Sequence, residues 1–157
     1  MLDARGDARG LRARSVTVGY GKDAPILEDL SLDVLEGQLT VIVGPNACGK
    51  STLLRSLARV LGVRSGVVEL DGRALTTMNQ KELARRLGLL AQSSTAPADI
   101  LVEDLVARGR YPHQSLLRQW SAEDDEAVAW AMRQAGVEAL ARRRVGELSG
   151  GQRPRVW

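Results

Sequence analysis

Gly44, Gly49, Lys50 and Ser51 in "GPNACGKS" fit the spacing G-x-x-x-x-G-K-[ST]. The chemistry open to such a stretch is the binding of concentrated negative charge. Successive main-chain amides in a tight loop can surround a di- or triphosphate, and a helix starting there turns its positive end towards it. Gly44 and Gly49 let the backbone turn and approach without a Cβ in the way. Lys50 would reach the β- and γ-phosphates, and the Ser51 hydroxyl would ligate Mg2+. Pro45, Asn46, Ala47, Cys48 and Thr52 complete the cradle. Cys48 reads chiefly as a small filler residue. Its place near a helix N-terminus and a lysine also raises the expectation that thiol alkylation blocks nucleotide binding.

Such a loop works only between a buried strand and a helix. "LTVIVG" (Leu39–Gly44) is a continuous run rich in β-branched residues, the pattern of a strand covered on both faces of a parallel sheet. "STLLRSLARVLG" has helical apolar spacing that closes on Gly62. Further strands are expected in "LRARSVTVGY" and in "LSLDVLEG", with Leu30, Leu32 and Val34 on one face and Gly37 in a turn. "SGVVELDGR" reads as a strand and tight turn. "NQKELARRL" predicts a short amphipathic helix, "GLLAQ" a short strand and "SSTAPAD" a loop. From Ile100 the pattern turns helical: "VEDLVARGR", then "SAEDDEAVAWAMRQAG" with a capping box at Ser121 and Asp124, then a third, shorter helix in "VEALARRRVGE".

The 157 residues suffice for one medium domain, and 44% of them are hydrophobic. Aromatic residues make up 3%, with no Phe, so Leu, Val and Ala must fill the core. The formal charge of +3 does not compel a nucleic-acid partner. The basic stretch "ARRRV" (Ala141–Val145) lacks interleaved aromatics and reads as a solvated face. The single cysteine excludes an internal disulfide. No apolar run is long enough to span a bilayer, and "MLDARGDARG" lacks the apolar stretch of a secretory signal.

A second motif, "LSGGQ" (Leu148–Gln152), joins the loop near the end of the sequence. With both in hand, the chain from about residue 11 onward resembles the ATP-binding subunits of ABC transporters. "ARGRYPHQSLL" narrows the resemblance to importers of iron-siderophore, haem and cobalamin, siderophore first. The resemblance implies an α/β fold: a P-loop NTPase core with an incomplete parallel sheet, an antiparallel β portion and a helical arm. The expected organisation is a flexible leader over 1–10, a nucleotide-binding core with P-loop and Q-loop over 11–93, a helical arm over 94–147, and the signature with the start of its helix over 148–157. It implies ATP and Mg2+ as ligands. Tyr20 would stack on adenine. Gln92, in the Q-loop position, would sense Mg2+ and the attacking water. Ser149, Gly150, Gly151 and Gln152 would meet the γ-phosphate held by a second subunit in a head-to-tail homodimer. Expected partners are transmembrane permease subunits and, indirectly, a substrate-binding protein, with no nucleic acid. The expected place is peripheral, on the cytoplasmic face of the inner membrane.

In that family a strand carrying an Asp and a Glu follows the signature, and a switch His comes later. None of these is among the 157 residues. "VVELDG" reads as a hairpin strand, "ILVEDL" opens a helix, and His113 precedes the signature, so none substitutes. The sequence thus reads as an N-terminal fragment that grips ATP without the residues that hydrolyse it. The alternatives are a non-hydrolysing ATP-binding module, an inactive remnant, or a soluble DNA-repair or translation factor built on the same core. Pro154 would cost about 3 kcal/mol inside a helix and little in a first turn.

Overall fold

The computed structural model describes residues 9–92, 95–114 and 120–157. Most of the leader expected over 1–10, and parts of "SSTAPAD" and "ARGRYPHQSLL", lie outside the described residues. The chain divides into two compact units, Met1–Leu89 and Leu90–Trp157.

The first unit is built on an antiparallel sheet of four strands in the order β2-β1-β3-β4. These are β1 (Gly10–Val18), β2 (Leu27–Leu35), β3 (Ser65–Leu70) and β4 (Arg73–Ala74). Ala13, Val16 and Val18 of β1 are fully buried. Ala13 and Val16 are three residues apart, so strict alternation would send them to opposite faces. A register shift between them, with Ser15 at φ 46°, returns Val16 to the core face. On β2, Leu30, Leu32 and Val34 share the more buried face, as the alternation predicts. Asp71 and Gly72, both at positive φ, make the tight turn between β3 and β4.

Helix α1 (Lys50–Leu57) covers this sheet through Leu53 and Leu57, which join Ala13, Val16, Val18, Val68 and Leu70 in one core. It stops well before Gly62. Arg59 takes a left-handed conformation at φ 55°, and the amides of Val60 and Leu61 turn back to the Arg55 carbonyl. The Arg59 guanidinium also donates to the carbonyls of Leu75 and Met78, which ties the helix end to the turn after β4. Helix α2 (Gln80–Ala84) starts where expected, with Asn79 accepting from the Glu82 amide at 2.8 Å.

Two expected strands do not form. Leu39–Gly44 joins no ladder, and Leu39, Val41 and Val43 are 91%, 68% and 84% exposed, while Ile42 alone packs on the core. A parallel strand needs neighbours on its edges, and the described strands of this unit pair only with one another. "GLLAQ" is likewise without regular structure, with Leu89 and Leu90 exposed. All ladders among the described strands are antiparallel.

The second unit is helical. Helix α3 (Val102–Ala107) continues as a 3-10 stretch, Arg108–His113, and helix α4 (Ala122–Ala135) ends on Gly136 at φ 60°. Their apolar sides enclose Val102, Leu105, Met132, Val137, Val145, Leu148 and Val156. The third helix expected in "VEALARRRVGE" is instead two 3-10 turns, Glu138–Leu140 and Val145–Glu147. The intervening main chain pairs elsewhere: the Val102 amide donates to Arg143 O (3.0 Å) and the Val145 amide to Ile100 O (2.9 Å). Those bonds replace helical ones.

The capping box at Ser121 and Asp124 forms and starts α4. The buried Asp124 carboxylate accepts from Arg110 Nε at 2.7 Å and from the Ser121 amide and hydroxyl at 3.0 Å each. Arg110 first, then Ser121, hold its carboxyl below the usual carboxylate range. A folded value below the unfolded one contributes stability above the unfolded pKa, and that contribution is lost as pH falls through the folded value. Asp124→Asn is therefore expected to lower the melting temperature at pH 7. The difference from the parent should shrink as pH drops below the ordinary carboxylate value and close only once it has passed the lower folded value, where the parent carboxyl is also neutral. Thermal melts across pH check this, and a penalty independent of pH would contradict it.

Candidate phosphate-binding site

The loop from Gly44 to Ser51 runs over the surface into the first turn of α1. Ala47 stands at φ 65° and Gly49 at φ 93°, both left-handed. Alternation of left- and right-handed residues turns successive amides to one side. Among the described residues, the main-chain amides from Asn46 to Thr52 have no protein acceptor. The first to pair is Leu53, whose amide donates to Gly49 O at 2.8 Å. Part of this run consists of the orphan donors any helix start leaves. The preceding loop residues extend that run of free donors.

Gly49 is required twice over. Its φ is unfavourable for an L side chain, and a Cβ there would lie 2.8 Å from Leu27 Cδ2 and 3.0 Å from Ile26 Cγ2. The Lys50 ammonium folds back over the loop, donating to Gly44 O at 2.8 Å and to Pro45 O, with Cys48 Sγ at 3.6 Å. The charge is thereby held at the loop by acceptors that a stronger anionic ligand can displace. No partner of the Ser51 hydroxyl is found among the described residues, and Cys48 is exposed. The donor set fits an oligophosphate. Among the described residues no cluster of His, Cys, Asp and Glu could hold a metal by itself. A Mg2+ at Ser51 would share its shell with water and phosphate oxygens, as that ion usually does.

Tyr20 is in the same unit and touches the same helix. Its hydroxyl accepts from Arg55 of α1 at 3.0 Å, and the residue is 41% exposed. A hydrogen bond from Thr52, then Arg55, holds the phenol below its ordinary value. Arg55 went unnoticed in the sequence, because a surface arginine in a helix carries no pattern that marks what it reaches.

Gln92 and the signature belong to the second unit. Gln92 lines a cleft of about 470 Å3 with Gly150, Arg153, Pro154 and Trp157. Leu148 anchors the signature in that unit's core. The Ser149 amide donates to Gln152 Oε1 at 3.1 Å, and the Gln152 amide to Ser149 Oγ at 3.3 Å. This reciprocal pair opens the 3-10 helix Arg153–Val156. Gly150 and Gly151 are exposed, and their amides have no acceptor among the described residues. Pro154 falls in the first turn of that helix, where its missing N–H costs nothing.

The family model described as "ABC transporter" matches residues 27–157. The chain belongs to the ABC transporter family. It is 52% identical over 147 residues to the ferric enterobactin transport ATP-binding protein of Escherichia coli (strain K12), covering 94% of this chain and 54% of that protein. To the petrobactin import ATP-binding protein FpuD of Bacillus anthracis it is 43% identical over 149 residues, covering 95% and 54%. Among solved structures it is similar to an ATP-binding cassette of an ABC transporter, with a TM-score of 0.75 at 26% identity, covering 94% of this chain and 62% of the other. The P-loop NTPase fold class holds on these matches. The chain spans about half the length of the curated ABC transporter relatives it matches.

Proposed function

We propose that this chain binds the phosphates of ATP in the loop Gly44–Ser51, as the nucleotide-binding part of an importer of iron-siderophore type. The observation that carries the reading is the run of unpaired amides from Asn46 to Thr52 at the start of α1, with the Lys50 ammonium held over it. Pro45, Ala47 and Cys48 shape that loop, and Tyr20 offers its half-exposed ring to adenine beside the same helix. The Ser51 hydroxyl would ligate Mg2+, which neutralises phosphate charge when bound. Ser149, Gly150, Gly151 and Gln152 present a hydroxyl and free amides suited to the nucleotide of a second copy. ATP bridging two copies would favour the closed pair over the open one. The names of the relatives from Escherichia coli and Bacillus anthracis, ferric enterobactin transport and petrobactin import, support the iron-siderophore assignment.

In this reading the chain works with permease subunits, and through them a substrate-binding protein, at the cytoplasmic face of the membrane. No helix among the described residues is long and apolar enough to cross one. A second reading is ATP binding without hydrolysis, for which the unpaired amides and Lys50 of the loop would suffice. Mg-ATP binding and phosphate release distinguish the two, measured on this chain and on one extended to its relatives' length. Binding without turnover in the first, with turnover in the second, is the expected result. Robust turnover by the 157-residue chain would contradict it.

Cys48 supplies an independent check. Its Sγ lies 2.9 Å from where a Cβ on Gly44 would stand, so an adduct would crowd the mouth of the loop. N-ethylmaleimide is expected to block ATP binding, and ATP to slow the modification. Unchanged affinity after complete alkylation, followed by mass, would refute this.

A further inference from the structure

The turn that carries Tyr20 links β1 to β2 and has few bonds of its own. The Asp23 amide reaches Tyr20 O at 3.3 Å, and the Ile26 amide reaches Val18 O at 2.8 Å. Three carbonyls of the turn are gripped by one distant side chain. Arg64, just before β3, donates from Nη1 to Asp23 O (2.7 Å) and from Nη2 to Tyr20 O (3.0 Å) and Gly21 O (3.2 Å). Arg64 is itself fixed, because its own amide donates to Thr17 O at 2.8 Å, at the end of β1. The guanidinium passes so close to the chain that a Cβ on Gly19 would lie 2.7 Å from Nη2 and 2.9 Å from Cζ. Gly19 is the residue that lets it through.

We infer that Arg64 is a positioning residue for the nucleobase side of the site: its guanidinium fixes the Tyr20–Asp23 turn so that the Tyr20 ring stands beside α1. The inference rests on the proposed stacking of Tyr20 on adenine. Tyr20 is then held at both ends, its carbonyl by Arg64 and its hydroxyl by Arg55. All three acceptors of Arg64 are exposed. Water would satisfy those carbonyls if the side chain were absent, so the bonds add little net stability. Their effect is to remove the freedom of the turn before a ligand arrives, which lowers the cost of ordering it on binding. A planar fork of fixed donors suits carbonyls that diverge along a turn, and a lysine ammonium, a single point on a mobile stem, does not.

The test compares ATP with inorganic tripolyphosphate, both with Mg2+, by titration calorimetry on the full chain and on Arg64→Ala, Arg64→Lys and Tyr20→Ala. Tripolyphosphate has no base, so its affinity reports the phosphate loop and the folded state together. Arg64→Ala and Tyr20→Ala are each expected to weaken ATP roughly tenfold, about the worth of one base stacked on an aromatic ring. Tripolyphosphate affinity should not change in either. Arg64→Lys should stay close to Arg64→Ala, and the double variant should lose no more than either single one. If Tyr20→Ala weakens ATP but Arg64→Ala does not, the assignment of Arg64 is overturned while the stacking stands. If Arg64→Ala and Arg64→Lys weaken tripolyphosphate as much as ATP, Arg64 supports the whole unit and the assignment is equally overturned. Unchanged ATP affinity in Tyr20→Ala overturns the stacking and the inference with it.

Discussion

Lys50→Ala is expected to lower ATP affinity at least about 100-fold, the loss of more than one hydrogen bond to a charged group. The ammonium is held directly over the loop, where it donates to Gly44 O and Pro45 O. Alanine removes the charge proposed to meet the phosphates. It also leaves those two carbonyls facing an incoming anion with nothing between them. The fold should survive, since both acceptors are exposed and water can satisfy them. Calorimetric titration of Mg-ATP, with a melt to confirm folding, reads the result. Parent-like affinity would count heavily against the phosphate cradle.

Gly49→Val should be the most damaging single change to the loop. At φ 93° a β-branched residue carries strain of about 1–3 kcal/mol. Its Cβ would also meet Leu27 and Ile26 at 2.8 and 3.0 Å, and overpacking costs a similar further amount. Relief requires moving the loop or the start of α1, and either displaces the amides of the cradle. Stability and ATP binding should therefore fall together. Gly72→Ala is the matched control: φ is also positive, at 73°, but nothing lies within 4 Å of the added Cβ. It should cost about 1 kcal/mol of stability and leave binding untouched. A Gly49→Val chain that melts and binds like the parent would contradict the account.

The parts of this structure that were legible in the sequence are those set by local chemistry. The glycine and lysine spacing marked the tight loop into α1, Asp71-Gly72 marked the hairpin turn, and Ser121 with Asp124 marked the start of α4. The alternation in β2 marked its inner face. What failed depended on partners. "LTVIVG" has the composition of a buried strand, but composition names no neighbours, and Val41 and Val43 stand exposed. The third arm helix had the right pattern too. Its amides and carbonyls pair with Ile100 and Val102 instead, which no local pattern encodes. The early end of α1 at Arg59 was hidden for a related reason. An L residue takes the left-handed place that glycine usually fills, and carbonyls far along the chain hold it there. Within the candidate site the loop was legible and its supports were not. Arg55 and Arg64 act through long side chains whose reach only the fold reveals.

The central claim is that the main-chain amides from Asn46 to Thr52 receive the phosphates. Amide resonances of isotopically labelled protein, followed while inorganic tripolyphosphate and then ATP are added, test it most directly. The account predicts saturable shifts in the amides of Gly49, Lys50 and Ser51 with both ligands, and in the Tyr20 turn with ATP alone. Shifts confined to other residues, or none at saturating tripolyphosphate, would contradict it.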